Sequence, residues 1–262
     1  MAAVSKPIIL DETGQAIAEA IRNINGIKEQ TNAGFHNSFY RGKCLGTEYS
    51  AAQKTAIQAG TFDDMFIGDY WTIGGVNYRI AAFDYWLHCG DTECTAHHVV
   101  IVPDTNLYSA KMNDSNITTG GYVGSKMYTN SLATAKTTIK NAFGSANILS
   151  HREYLVNAVA NGKPSAGAWY DSDIELMNER MVYGCPVFEP ACDGSTVPTL
   201  YTIDKSQLPL FALDPSRIIN RAAWWLRDVV SSAYFAYVGS GGTAYYGGAS
   251  DSCGVRPAFA IH

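Results

Sequence analysis

Apolar residues recur at three- and four-residue steps in several stretches of the chain. Leu10, Ile17, Ile21, Ile24 and Ile27 make the first such stripe, with Glu19, Arg22 and Lys28 off it. The spacing predicts a helix over roughly 12–30. The stripe is narrow, and so short a helix is marginal alone in water. It either docks on the body of the protein or meets copies of itself in a short coiled coil. Ser50 as N-cap and Gly60 as terminator bracket a second helix over 50–59. Strand-type residues then flank Gly74-Gly75 in DYWTIGGVNYRIAAFDYW, the pattern of a tight hairpin. HHVVIVP reads as a buried strand ended by Pro103. KMNDSNITTGGYVGSK is rich in turn residues and reads as loop.

Helical spacing returns with Leu132, Ala135, Ile139 and Phe143 on one face, closed by Gly144. In SHRE, Ser150 and Glu153 have the spacing of a capping box, and Tyr154, Leu155, Ala158 and Val159 carry a helix on to Gly162. His151 is then an exposed first-turn residue. SDIELMNERMVYG repeats the device with Ser172 and Glu175. A stretch containing Gly, Pro and Thr follows to about residue 208. The chain closes on GVRPAFAIH, a strand with Val255, Pro257, Phe259 and Ile261 in alternation.

Of the 262 residues, 47% are hydrophobic and 16% charged, which suits a globular protein with a sizeable core. One domain with a small appendage fits as well as two domains. A net charge of -5 gives no basic footprint for nucleic acid or an anionic membrane. No apolar run reaches the roughly 18 residues of a membrane span. MAAVSKPIILDETGQ lacks the pattern of a secretory signal, so synthesis and folding in the cytoplasm are expected. Reduced thiols are then the default for Cys44, Cys89, Cys94, Cys185, Cys192 and Cys253. HCGDTECTAHH brings Cys89, Cys94, His97 and His98 close in sequence. The spacing is not a standard zinc pattern, and adjacent His97 and His98 would point apart on a strand, so structural roles are preferred. The same holds for Cys185 and Cys192 in GCPVFEPACDG. No metal and no cofactor are assigned.

The stretch SSAYFAYVGSGGTAYYGGASDSCG departs from all of these patterns. Between Val230 and Gly254 there is no Lys, Glu, Gln, Arg, Met or Trp. A core strand would carry more aliphatic side chains, and a Gly/Ser linker needs no paired tyrosines. The palette is that of antibody paratopes: Tyr supplies amphipathic contact area with few rotors to freeze, and Ser and Gly supply adaptable hydrogen bonds. Ligand contact is the expectation.

WWLRDVVSSAYFAYV followed by GVRPAFAI resembles the variable proteins of diversity-generating retroelements. The resemblance is sharpest over residues 215–262. It extends more loosely to DYWTIGGVNYRIAAF, HHVVIVP, MNDSNITTGGYVGS and ILSHREYL, which look like the non-variable part of related phage proteins. It implies an α+β chain, a C-type lectin fold of the formylglycine-generating-enzyme branch. Residues 1–32 would be an N-terminal helical oligomerisation or docking segment. Residues 33–262 would be the lectin-like domain, with a hypervariable region at about 228–254. In that family adenines of a template are misread, so that Asn codons become NNC or NNT. Such codons cannot encode Lys, Glu, Gln, Met or Trp, and those five are missing here; Arg is allowed but absent. The positions assigned to ligand binding are Tyr234, Tyr237, Gly239, Ser240, Gly241, Thr243, Tyr245, Tyr246, Gly247, Gly248, Asp251 and Cys253. Ala233, Phe235, Ala236, Val238, Ala244 and Ala249 interleave with them as fixed scaffold.

The resemblance implies a phage tail-tip or surface binder, placed on the virion after cytoplasmic synthesis. Its partner would be a host-cell surface protein or a glycan receptor, with no nucleic acid and no membrane insertion. The chain would be a homo-oligomer, a trimer by analogy with phage tips. Trp224 and Trp225 would lie as platforms under the variable loops, and Arg227 and Arg256 would anchor the loop ends through charge-assisted bonds. The fold pairs strands near its two ends, so GVRPAFAI is expected beside YWTIGG or NYRIAAF. An enzyme on the formylglycine-generating fold and a purely structural virion or surface protein are the alternatives. The enzyme needs a reactive cysteine pair, and Cys253 has no cysteine near it in sequence. No nucleophile, base and orienter can be picked from the chain, so no catalytic residues are assigned.

Overall fold

The computed structural model describes Glu12 and residues 15–17, 32–156, 159–160, 163–164, 167–188 and 206–262. Glu12 and residues 15–17 are helical, and Ile17 is exposed. Ile21, Ile24 and Ile27 of the expected stripe lie outside the described residues, as does Cys192.

The chain is α+β, mostly sheet with few helices. From residue 32 onward, the α-helices among the described residues are α1 (Ala33–His36), α2 (Ala51–Gln58), α3 (Ala133–Phe143), α4 (Glu179–Tyr183) and α5 (Pro209–Leu213). The first five strands are β1 (Cys44–Gly46), β2 (Tyr70–Ile73), β3 (Val76–Phe83), β4 (Val99–Pro103) and β5 (Tyr108–Lys111). The middle of the chain forms β6 (His151–Val156), β7 (Val159–Ala160), β8 (Lys163–Pro164), β9 (Gly167–Ser172) and β10 (Ile174–Leu176). The last five are β11 (Trp224–Val229), β12 (Tyr234–Val238), β13 (Ala244–Gly248), β14 (Ser252–Val255) and β15 (Pro257–Ile261). A six-stranded sheet runs β1-β2-β3-β4-β15-β10, and a five-stranded sheet runs β13-β12-β11-β14-β5. β6 and β9 make a separate two-stranded sheet.

Local chemistry explains where several elements start and stop. Ser50 accepts from the Gln53 backbone N–H while the Gln53 side chain accepts from the Ser50 N–H, a reciprocal cap that starts α2. Gly74 and Gly75 both have positive φ, which lets the β2–β3 hairpin close in two residues. Gly144 ends α3 at φ +83°, with Ala135, Ile139 and Phe143 on the buried face.

One expected helix is absent and a second is shorter than expected. SHREYLV is strand β6, paired with β9 from His151↔Ser172 to Val156↔Gly167. His151, Glu153 and Leu155 point inward and Arg152 and Tyr154 are half-buried, a period of two. His151 is buried, not exposed, and Glu153 is not a cap but the partner of Arg227 at 2.5 Å. Ser172 and Glu175 lie in β9 and β10. The helix of that region starts later, with Asn178 accepting from the Met181 N–H at 2.8 Å and Gly184 closing it in the left-handed region.

The C-terminus also departs from expectation. β15 lies between β4 and β10, so its neighbour is HHVVIVP and β3 is one strand further on. All of β4 and β15 is buried, so Pro257, Phe259 and Ile261 do not alternate with exposed positions. The chain changes sheets at Arg256, between β14 and β15. The buried Arg256 donates Nε to Pro103 O (2.8 Å) and Nη1 to Arg217 O (3.0 Å), and lies 5.0 Å from the Trp224 ring centre. Burial pushes it down to about 10, which leaves it charged at neutral pH.

Trp224 and Trp225 are successive residues of β11 and therefore point to opposite faces. Trp224 belongs to the larger core, with Trp71, Phe143 and Phe259. Trp225 belongs to a second core, with Tyr122, Phe235 and Val255. β11 is thus the wall between two cores, and the next strand after it opens the Tyr/Gly/Ser segment.

Candidate ligand-binding site

The Tyr/Gly/Ser segment is a hairpin, not a loop. β12 and β13 pair antiparallel through Tyr234↔Gly248, Ala236↔Tyr246, Tyr237↔Tyr245 and Val238↔Ala244. β12 in turn pairs with β11 through Trp224↔Val238 and Trp225↔Tyr237. The connecting turn is held by Gly239 N–H to Thr243 O (2.7 Å) and Gly242 N–H to Gly239 O (2.9 Å). Gly242 has φ +86°, and a Cβ there would stand 2.9 Å from Ile219, so this position requires glycine.

Burial separates the two classes of position within the hairpin. Phe235, Ala236, Val238 and Ala249 are buried, and Ala233 and Ala244 are half-buried. Tyr234, Tyr245 and Tyr246 are 41%, 53% and 38% exposed. Ser240, Gly241, Thr243 and Asp251 are exposed; Tyr237, Gly239, Gly247 and Cys253 are half-buried. Gly248 is buried. A Cβ at Gly248 would stand 2.5 Å from Asn116 Oδ1, whereas one at Gly241 would meet nothing within 4 Å.

The four tyrosines form one chain of ring contacts. Tyr237 lies edge-on to Trp225 at 5.9 Å and 5.5 Å from Tyr245. Tyr245 stacks on Tyr246 at 5.4 Å with an 8° interplanar angle, and Tyr246 lies 5.4 Å from Tyr234. The pleat sends Tyr237 and Tyr245 to one face of the sheet and Tyr234 and Tyr246 to the other. The cluster therefore wraps the edge strand β13 and does not lie flat on one face.

Residues outside the segment complete the surface. Phe188 lies edge-on to Tyr246 at 5.0 Å and 6.4 Å from Tyr245. Its backbone N–H donates to the buried Glu179 carboxylate at 2.9 Å, as does that of Val187 at 2.7 Å, so Phe188 is fixed from below. Asn116 Oδ1 accepts from Ser250 N–H (2.9 Å) and Ser250 Oγ (2.8 Å). Thr118 Oγ1 donates to Ser231 O (2.7 Å). These bonds bring the loop 112–126, with its exposed Ile117, against both ends of the hairpin. Sequence periodicity has no signal for Phe188, because it stands alone in a turn. An apolar Ile117 within a polar loop is the one signal that could have been read.

Chemically the face offers hydroxyl tips, ring faces, a thiol and one carboxylate. Asp251 Oδ2 accepts from the Gly248 N–H at 2.8 Å. Burial, with Asp251 beside it, pushes Cys253 up to about 11, so the thiol stays protonated at neutral pH. Burial also pushes the Tyr237 hydroxyl up. Of the bracketing residues, Trp225 Nε1 donates to Ala110 O (2.9 Å), and Arg227 pairs with Glu153.

The other candidate cluster disperses. His97 Nδ1 bonds Asp84 at 2.7 Å, while His98 Nδ1 bonds Ala96 O and its Nε2 accepts from the Trp86 N–H. Cys89 and Cys94 are buried. Among the described residues no group of three or more His, Cys, Asp or Glu side chains is arranged to hold a metal ion. No protein-family model, no curated protein and no solved structure matches the chain.

Proposed function

We propose that this chain is a hypervariable ligand-binding protein, diversified by a retroelement through adenine mutagenesis. One observation carries the reading: exposure and residue palette coincide. Positions restricted to Tyr, Gly, Ser, Thr, Asp and Cys face outward or lie half-buried, with Gly248 the exception. The interleaved Phe235, Ala236, Val238 and Ala249 are buried. A surface that must change its side chains without unfolding needs that division. Exposed substitutions away from caps and core usually change stability by no more than about 0.5 kcal/mol. The fold proposed is of the C-type lectin type, supported by the return of β15 to the sheet of β1–β4.

The ligand would be a host-cell surface protein or glycan, met at a phage tail tip or another surface. Stacked tyrosines with polar tips suit either, since each ring presents apolar area and a hydrogen-bonding end. No helix among the described residues is long and apolar enough to cross a membrane. Assembly through residues 1–32, as a trimer, would multiply weak single-site contacts by avidity. The DNA tests the proposal. A near-copy of the 3′ coding end should lie downstream, differing at adenines, beside a reverse-transcriptase gene. Absence of any such repeat removes the diversification reading.

A further inference from the structure

β13 is the outermost strand of the five-stranded sheet, and no strand of the described residues lies beyond it. The hairpin register decides which of its backbone groups are already used. Gly239 N–H reaches Thr243 O at 2.7 Å and Ala249 N–H reaches Ala233 O at 2.9 Å, at the two ends of the paired stretch. Bonded positions alternate along an antiparallel ladder. Tyr245 and Gly247 therefore turn their N–H and C=O to β12, and Ala244, Tyr246 and Gly248 turn theirs outward. Gly248 is closed locally: its N–H donates to Asp251 Oδ2 at 2.8 Å, and its C=O accepts from the Asp251 N–H at 2.9 Å. Ala244 and Tyr246 each present one N–H and one C=O outward, to which no described residue bonds, about 7 Å apart along the strand.

Natural sheet edges are blunted by charge, proline or a bulge. Residues 244–248, AYYGG, carry no charge and no proline, and their register with β12 is unbroken. What stands over this edge is a pair of rings. Tyr245 and Tyr246 leave the strand on opposite faces, so their stack at 5.4 Å is made beyond its outer side. Both rings are exposed, and exposed side chains change rotamer within nanoseconds, so the stack is a cover that turns aside.

We propose, on the reading of this hairpin as the ligand face, that β13 takes its target as an extended peptide of a protein, added to the sheet as a further strand. Backbone pairing offers such a peptide a hydrogen bond for each outward group of Ala244 and Tyr246, whatever side chains stand on β13. A glycan has hydroxyls but no donor and acceptor alternating at strand spacing, and it leaves this row unmatched. Affinity from the backbone and specificity from the side chains are then separate, so Tyr245 and Tyr246 can be rewritten without loss of the hold. Gly247 and Gly248 leave the end of the strand bare for close approach of another backbone. On binding the stack parts, and Tyr245 and Tyr246 flank the peptide on its two faces, with Phe188 against Tyr246.

A displayed library of random linear dodecapeptides, panned on the full chain, supplies the probe. Tyr246→Ala removes the ring, and Tyr246→Pro removes the ring and the outward N–H but no bond to β12. Selected peptides should bind Tyr246→Pro at least about 10-fold more weakly than Tyr246→Ala. By NMR, the amides of Ala244 and Tyr246 should exchange faster than those of Tyr245 and Gly247 in the free chain, and slow by about 10-fold or more when peptide binds. That measurement on the wild type decides if Tyr246→Pro does not fold. Recovery of no peptide overturns the proposal, as does bound peptide that leaves these two amides unprotected. Equal binding by Tyr246→Ala and Tyr246→Pro also overturns it, and leaves the tyrosines as a face read through side chains alone. A lower mass in solution for Tyr246→Pro than for wild type puts a second copy on the edge and overturns the peptide as its occupant. The ligand-face reading is tested separately, by the downstream repeat.

Discussion

Replacing Trp225 with Ala tests the division between fixed support and variable face. Trp225 is fully buried, fills the second core beside Phe235 and Val255, and donates Nε1 to Ala110 O at 2.9 Å. Removing a buried indole costs about 3–5 kcal/mol through lost burial and the cavity left behind. The orphaned Ala110 carbonyl and the lost edge contact with Tyr237 place this site near the upper end. For a domain of this size each kcal/mol lowers Tm by about 2–4 °C, so Trp225→Ala should melt about 10 °C or more below wild type. Tyr245→Ser is the contrast. Its ring is already 53% exposed, and what it loses is its contact with Tyr246 and Tyr237. That amounts to about 1 kcal/mol, or about 2–4 °C. Thermal melts followed by circular dichroism separate the two. Equal destabilisation by both, or a Trp225→Ala protein that melts like wild type, refutes the assignment of support and face.

Three other outcomes follow from the same geometry. Gly241→Ser should leave the chemical-denaturation midpoint unchanged, while Gly248→Ser must displace Asn116 from its two bonds to Ser250 and should cost about 1–2 kcal/mol. Glu175→Gln should expose a pH dependence hidden in the wild type. The raised Glu175 contributes stability below about 4.5 that is lost as pH rises through 7, whereas the lowered His151 contributes stability above 6.5 that is lost as pH falls through 4. With Glu175 gone, stability measured in urea should rise between pH 4 and 6.5, and a flat profile would show that His151 does not titrate as described. Deleting residues 1–30 should lower the mass in solution from an oligomer to a monomer, and a monomer in both forms would leave that segment as a docked helix.

Elements with an apolar face or a strong cap were legible from the chain. α2, α3, the Gly74-Gly75 hairpin and β4 follow from Ser50, Gly144, the paired glycines and VVIV. The failures have tertiary causes. In β6 the inward positions are His151 and Glu153, so a period of two is present but polar, and SHRE imitates a helix cap. The distant Arg227 is the largest compensation for burying Glu153, and no local window contains both. β15 did not alternate because both of its faces are covered. The tyrosine segment was legible by composition, yet its hairpin pairing, its wrap around β13 and the contact with Phe188 are tertiary facts. Phe188 is held by Glu179, which sequence spacing alone does not connect to Tyr246.

On the proposed function, one edge hairpin varies while its support does not. Deep sequencing of codons 228–254 across a natural population of the source measures it directly. Substitutions should concentrate at Tyr234, Tyr237, Ser240, Gly241, Thr243, Tyr245, Tyr246 and Asp251, all within NNC and NNT codons, with Trp224, Trp225, Phe235, Ala236 and Val238 constant. Substitutions spread evenly over the buried and exposed positions of β12 and β13, or an invariant segment, would contradict it.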